Sequence, residues 1–89
     1  MRKIIHSPAS RALTGLLVDL RKESGMTQEE FADKLGWVRQ TVSAIERGER
    51  MLMVLELVEY LKPFNLSASA FMETLERELA SLHGSAGDR

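Results

Sequence analysis

Residues 27–48 constrain this chain more than any other stretch. They read as two short helices joined by a tight glycine turn and closed by a second glycine. Thr27 precedes Glu30 by three positions, the capping-box pair of a helix start. Phe31, Ala32 and Leu35 then face inward, and Gly36 offers a left-handed stop. A second helix is predicted from about Arg39 to Arg47, with Val42 and Ile45 on its inner face and Gly48 at its end.

Three further helices frame this pair, and no convincing strand does. Ser7-Pro8 marks a helix start, because serine caps orphan N–H groups and proline suits the first helical position. Leu13, Leu16, Leu17 and Leu20 follow as one apolar stripe, ended by Gly25. A fourth helix lies within 54–62 and is expected to stop at Pro63. A fifth starts after Ser67, runs to about Leu82, and carries the stripe Phe71, Met72, Leu75, Leu79 and Leu82. The organisation is an N-terminal arm over 1–6, one domain over 7–82 and a frayed polar tail over 83–89.

The 89 residues suffice for one core and leave no room for a separate catalytic domain. No apolar run reaches the roughly 18 residues of a membrane span. No signal-peptide core follows the basic start. The absence of cysteine excludes disulfides and thiolate metal sites. The expectation is a cytoplasmic protein that folds by packing alone. Net charge is −1, but it is unevenly placed: residues 1–50 carry +2 and residues 51–89 carry −3. A duplex binder needs a basic face rather than a basic total.

The outer face of the third helix carries Arg39, Gln40, Ser43, Ala44 and Arg47. Arginine can bond guanine O6 and N7 in a fork, and glutamine can do the same to adenine N6 and N7. Arg39 and Gln40 stand nearest the helix start, where side chains reach base edges most readily. Ser43 can bond a base or a phosphate, and Ala44 can touch a thymine methyl. The free N–H groups at the start of the second helix attract phosphate, and Gln28 lies there.

The pattern Thr27-Gln28-Glu29-Glu30-Phe31-Ala32, Leu35-Gly36, Gln40-Thr41-Val42-Ser43 and Ile45-Glu46-Arg47-Gly48 resembles the helix-turn-helix of the lambda-repressor/Cro-like, Xre-type regulators. The resemblance extends over roughly residues 7–80. It implies an all-α, five-helix, lambda-repressor-like DNA-binding domain that binds duplex operators as a homodimer and represses transcription. It further implies that Gln28 clamps a phosphate, that Arg39, Gln40 and Ala44 face base edges, and that Ser43 and Arg47 contact bases or backbone. Glu46 falls where the family often buries a glutamate, and Arg21 occupies the partner position of that ion pair.

Three departures from the family pattern stand out. Val38 offers no capping oxygen to the third helix. Trp37 is large for a turn, and two roles are open to it: packing on the core, or presenting its N–H to a phosphate. Met51-Leu52-Met53 replaces a polar approach to the fourth helix, leaving Arg50, with Arg47, for the DNA backbone beside an unhelpful Glu49.

The fourth helix is apolar on every side, more than one small core can take up. This surplus points to a second copy of the chain, with Met53, Leu57, Tyr60, Phe71, Met72, Leu75 and Leu79 as the dimer interface. The alternative reading is an antitoxin-type module whose helices 4 and 5 bind a toxin protein. Isolated His6 and His83 do not make a metal site, which takes three or four clustered ligands. Glu73, Glu76 and Glu78 read as a solvated helix face. No catalytic constellation is visible, so neither an enzyme nor a cofactor is expected.

Overall fold

The computed structural model describes the backbone of residues 7–87 and the side chains of 7–82. The arm over 1–6, with His6, and the side chains of 83–89, with His83, lie outside the described residues. Five helices and no strands build the fold among those that are described: α1 (Pro8–Glu23), α2 (Gln28–Leu35), α3 (Arg39–Glu46), α4 (Val54–Leu61) and α5 (Ala68–Gly87). None of these helices is long and apolar enough to cross a membrane.

Local chemistry accounts for most of the boundaries. Ser7 Oγ accepts the N–H of Ser10 at 3.1 Å, and Pro8 opens α1. Thr27 and Glu30 close a reciprocal capping box at the start of α2: Thr27 Oγ1 accepts from Glu30 N, and Glu30 Oε1 accepts from Thr27 N. Gly36 adopts φ 76° and turns the chain out of α2, a conformation that costs L-residues about 1–2 kcal/mol and glycine almost nothing. Ser67 Oγ accepts the N–H of Ala70 at the start of α5.

Helix α4 ends at Leu61, inside the expected bounds and two residues before Pro63. Pro63 itself sits inside a short 3-10 turn over Lys62–Phe64, and the reversal falls to Asn65 at φ 54°, which tolerates the left-handed region better than most residues. One boundary differs from the sequence expectation: α5 continues to Gly87 rather than stopping near Leu82.

Helix α1 packs against α3 and α5, α2 packs against α3, and α4 packs against α5. Between them lies a core of Leu17, Phe31, Ala32, Val42, Ile45, Tyr60, Leu61, Phe71 and Leu75. Phe31 is its hub. Its ring meets Tyr60 edge-on at 4.8 Å and stacks on Phe64 at 5.0 Å, separations at which aromatic pairs attract beyond their buried area.

The core corrects part of the expected dimer interface. Tyr60, Phe71 and Leu75 are 0%, 3% and 8% exposed in the single chain. Their side chains are used within the monomer and cannot meet a second copy. Leu57 and Leu79 are half-buried against the same core. Of the seven expected interface residues, Met53 and Met72 are left exposed.

Candidate nucleic-acid interface

Helix α3 is amphipathic, with Val42 and Ile45 buried and Arg39, Gln40 and Arg47 exposed. Ser43 and Ala44 lie half-buried between the two faces. The apolar pair seats the helix on the core, and this fixes which side chains point away from it. Val38 precedes α3 in extended conformation and makes no side-chain cap, as its chemistry requires.

A chain of hydrogen bonds links the outer face to the interior. Arg21 of α1 meets Glu46 of α3 through Nε at 2.6 Å and NH2 at 3.1 Å. Its NH1 also donates to the carbonyl of Met26 at 2.7 Å, pinning the turn before α2. The Glu46 hydrogen bond holds the Arg21 guanidinium above its ordinary basicity, against the opposing effect of burial. Glu46 Oε1 additionally accepts from Gln28 Nε2 at 2.9 Å. Gln28 Oε1 in turn accepts from Arg39 NH1 at 3.3 Å. Four residues expected in three separate roles thus form one connected string, a link that spacing along the sequence does not reveal.

Arg47 and Arg50 are held by their own neighbours. Arg47 donates through NH1 to Ser43 Oγ and through NH2 to Glu49 Oε1, the latter at 3.0 Å. Arg50 pairs with both oxygens of Glu56, at 3.2 and 2.8 Å. Its guanidinium also lies 6.0 Å from the centre of the Trp37 ring, within the reach of a cation–π attraction. Trp37 packs on Tyr60 at 5.7 Å, so of its two open roles the structure displays the packing one. Together, Trp37, Arg50 and Glu56 brace the loop after α3 against α4.

Glu56 is a residue the sequence reading missed. Besides holding Arg50, it accepts the Met53 N–H at 2.9 Å and so caps the start of α4. The missing polar approach at 51–53 is thereby replaced from three residues inside the helix. The signal was available: Glu56 stands at the third helical position, where a capping glutamate belongs.

On its outer side the first half of α4 remains apolar. Met53, Val54 and Leu55 are 70%, 78% and 80% exposed, and Val58 is also exposed. Leu55 shares an open groove with Val38 and Trp37 beside the turn between α2 and α3. Among the described residues, no cluster of histidine and carboxylate side chains could hold a metal ion.

Comparison with known proteins bears on the helix-turn-helix formed by α2 and α3. A family model described as helix-turn-helix matches residues 17–71. An uncharacterized HTH-type transcriptional regulator, y4dJ of Sinorhizobium fredii, is 36% identical over 67 residues, covering 75% of this chain and 77% of that protein. A second uncharacterized HTH-type transcriptional regulator, from Methanothermobacter thermautotrophicus, is 52% identical over 33 residues, 37% of this chain and 48% of its own length. Among solved structures, a point mutant of the restriction-modification controller protein C.Esp1396I superposes with a TM-score of 0.73 at 33% identity, covering 82% of this chain and 92% of that one.

Proposed function

This chain belongs to the lambda-repressor/Cro-like helix-turn-helix family of DNA-binding transcriptional regulators, and from that premise we propose that it is a sequence-specific repressor that reads the major groove with α3 as a homodimer. The observation that carries the reading is the outer face of α3. Arg39 and Gln40 stand exposed on its first turn, over an inner face sealed by Val42 and Ile45. Arg39 is the principal base reader, with Gln40 and Ala44 beside it. Gln28, Ser43, Arg47 and Arg50 position the DNA backbone, with Trp37 supporting Arg50 from beneath.

The dimer reading rests on Met53, Val54, Leu55 and Val58, an apolar patch on α4, together with Met72 on α5. A soluble chain seldom leaves such a patch uncovered. A two-fold pair would place two copies of α3 about 34 Å apart, one turn of duplex. Repression then follows by occlusion of polymerase from the bound site. No observation favours a toxin-like protein partner over a second copy.

Selection from random-sequence duplexes, repeated at two salt concentrations, tests the reading. The expected result is an enriched inverted repeat whose binding weakens as salt rises. Failure to enrich any sequence, with no salt dependence, would remove both the specificity and the duplex as partner. Sedimentation of the chain with and without the enriched duplex tests the dimer; a monomer in both states would remove it.

A further inference from the structure

Four chain reversals among the described residues close with the same pair of backbone bonds. Gly25 and Met26 donate back to Lys22 and Arg21, Gly36 and Trp37 to Asp33 and Ala32, Gly48 and Glu49 to Ile45 and Ala44, and Asn65 and Leu66 to Lys62 and Leu61. In this geometry the residue after the left-handed one folds back over the helix it has left, and an apolar side chain commonly packs there. Met26, Trp37 and Leu66 conform, each partly buried against the core. The fourth residue is Glu49, and it is exposed.

Neither packing nor the helix dipole accounts for a glutamate at that position. The C-terminal end of a helix carries partial negative charge and favours cations. Glu49 is nevertheless held firmly there, its N–H bonded to Ala44 O at 2.9 Å. Its carboxylate contacts Arg47, which also reaches Ser43. The two side chains are 54% and 55% exposed, and through Arg47 the pair reaches Ser43 of α3. The Glu49 hydrogen bond holds the Arg47 guanidinium above its ordinary basicity.

We propose that Glu49 competes with DNA phosphate for Arg47 and thereby lowers the affinity of this chain for duplex of any sequence. The inference rests on the duplex-binding reading above. Sequence-independent binding comes almost entirely from cations that replace counterions on phosphates. For Arg47 to join them it must first leave a carboxylate, and that carboxylate then faces the phosphate. Arg39 bonds Gln28, so its reading of base edges does not pass through the Arg47–Glu49 pair. The sequence-independent part of binding stays small while the base-reading part is kept.

The test is binding of wild type, Glu49→Gln and Glu49→Gln/Arg47→Ala to a random-sequence duplex at two salt concentrations. Glu49→Gln keeps the side-chain size and removes the charge. Its affinity at the lower salt is expected to rise roughly two- to fivefold, the scale of one exposed ion pair. Its salt dependence should steepen by about one phosphate contact. Removing Arg47 as well should abolish the gain. Unchanged affinity and slope in Glu49→Gln would overturn the inference, and so would a gain that persists without Arg47. If wild type itself shows no salt-dependent binding, the duplex reading falls and takes this inference with it; if wild type binds and the variant matches it, the inference alone falls.

Discussion

The guanidinium of Arg21 grips the carboxylate of Glu46 through two nitrogens, at 2.6 and 3.1 Å, and so ties α1 to the end of α3. The two side chains are 11% and 7% exposed. Little water is available to solvate either one if its partner is removed.

Truncating one partner is therefore costly. Arg21→Ala or Glu46→Ala should each destabilise the fold by about 3–5 kcal/mol, because the survivor becomes a buried unpaired charge. Replacing both, as in Arg21→Met/Glu46→Leu, should be much less harmful than the sum of the single changes. Urea denaturation of the four proteins gives the comparison.

Tyr60 stands at the centre of the core, and its hydroxyl meets no hydrogen-bond partner among the described residues. Tyr60→Phe removes that oxygen without opening a cavity, so its stability should match wild type within about 0.5 kcal/mol or exceed it. Burial pushes the phenol above its ordinary range, with Glu46 adding to the shift and Arg21 opposing it. The folded state thus keeps a proton that the unfolded state releases above about pH 10, and stability must fall as pH rises beyond that value. This is the single tyrosine of the chain. Tyrosinate absorbance should accordingly appear together with unfolding in an alkaline titration, not before it.

Gly36 tests the turn inside the motif. A methyl group added there would meet nothing within 4 Å, so steric clash is not the issue. The φ of 76° is. Gly36→Ala should cost about 1–2 kcal/mol through backbone strain alone, and Gly36→Asn should cost less, because asparagine tolerates that region. Thermal melts of the three proteins would show the order.

These contacts also mark how far the sequence was legible. The capping box at Thr27 and Glu30, the stop at Gly36 and the uncapped Val38 are local devices, and each lies within a few residues of its effect. Leu17, Val42 and Ile45 announced their burial by helical spacing. Tyr60, Phe71 and Leu75 were expected at a dimer interface and lie in the core instead, because periodicity names an apolar face without saying which chain covers it. Pro63 marked the end of α4 correctly, but not the 3-10 turn over Lys62–Phe64 or the reversal at Asn65 that follow it. The string from Arg21 to Arg39 joins residues far apart in sequence, so the bonds became visible only once the helices were packed. The pairing of Arg50 with Glu56 was near in sequence and was overlooked.

Glu56 gives a prediction in acid. Its hydrogen bonds from Arg50 and from the Met53 N–H hold the carboxyl below its ordinary value. The folded state therefore binds fewer protons than the unfolded state as pH drops through the ordinary glutamate range near about 4.3. The stability that Glu56 confers is present above that range and is lost as pH falls through the lower folded value. Wild type should melt higher than Glu56→Gln at neutral pH, and the gap should narrow on acidification. A gap that stays constant from neutral pH to pH about 3 would show that the charge plays no part.

The central claim is that Arg39 reads a base from the first turn of α3. Its most direct test is the affinity of wild type and Arg39→Ala for a selected duplex and for its single-base-pair variants, at one fixed salt concentration. The account predicts a loss of about 1–3 kcal/mol on the selected duplex, with the preference flattened at one base pair in each half-site and retained elsewhere. An equal loss on every sequence, or no loss on any, would contradict it.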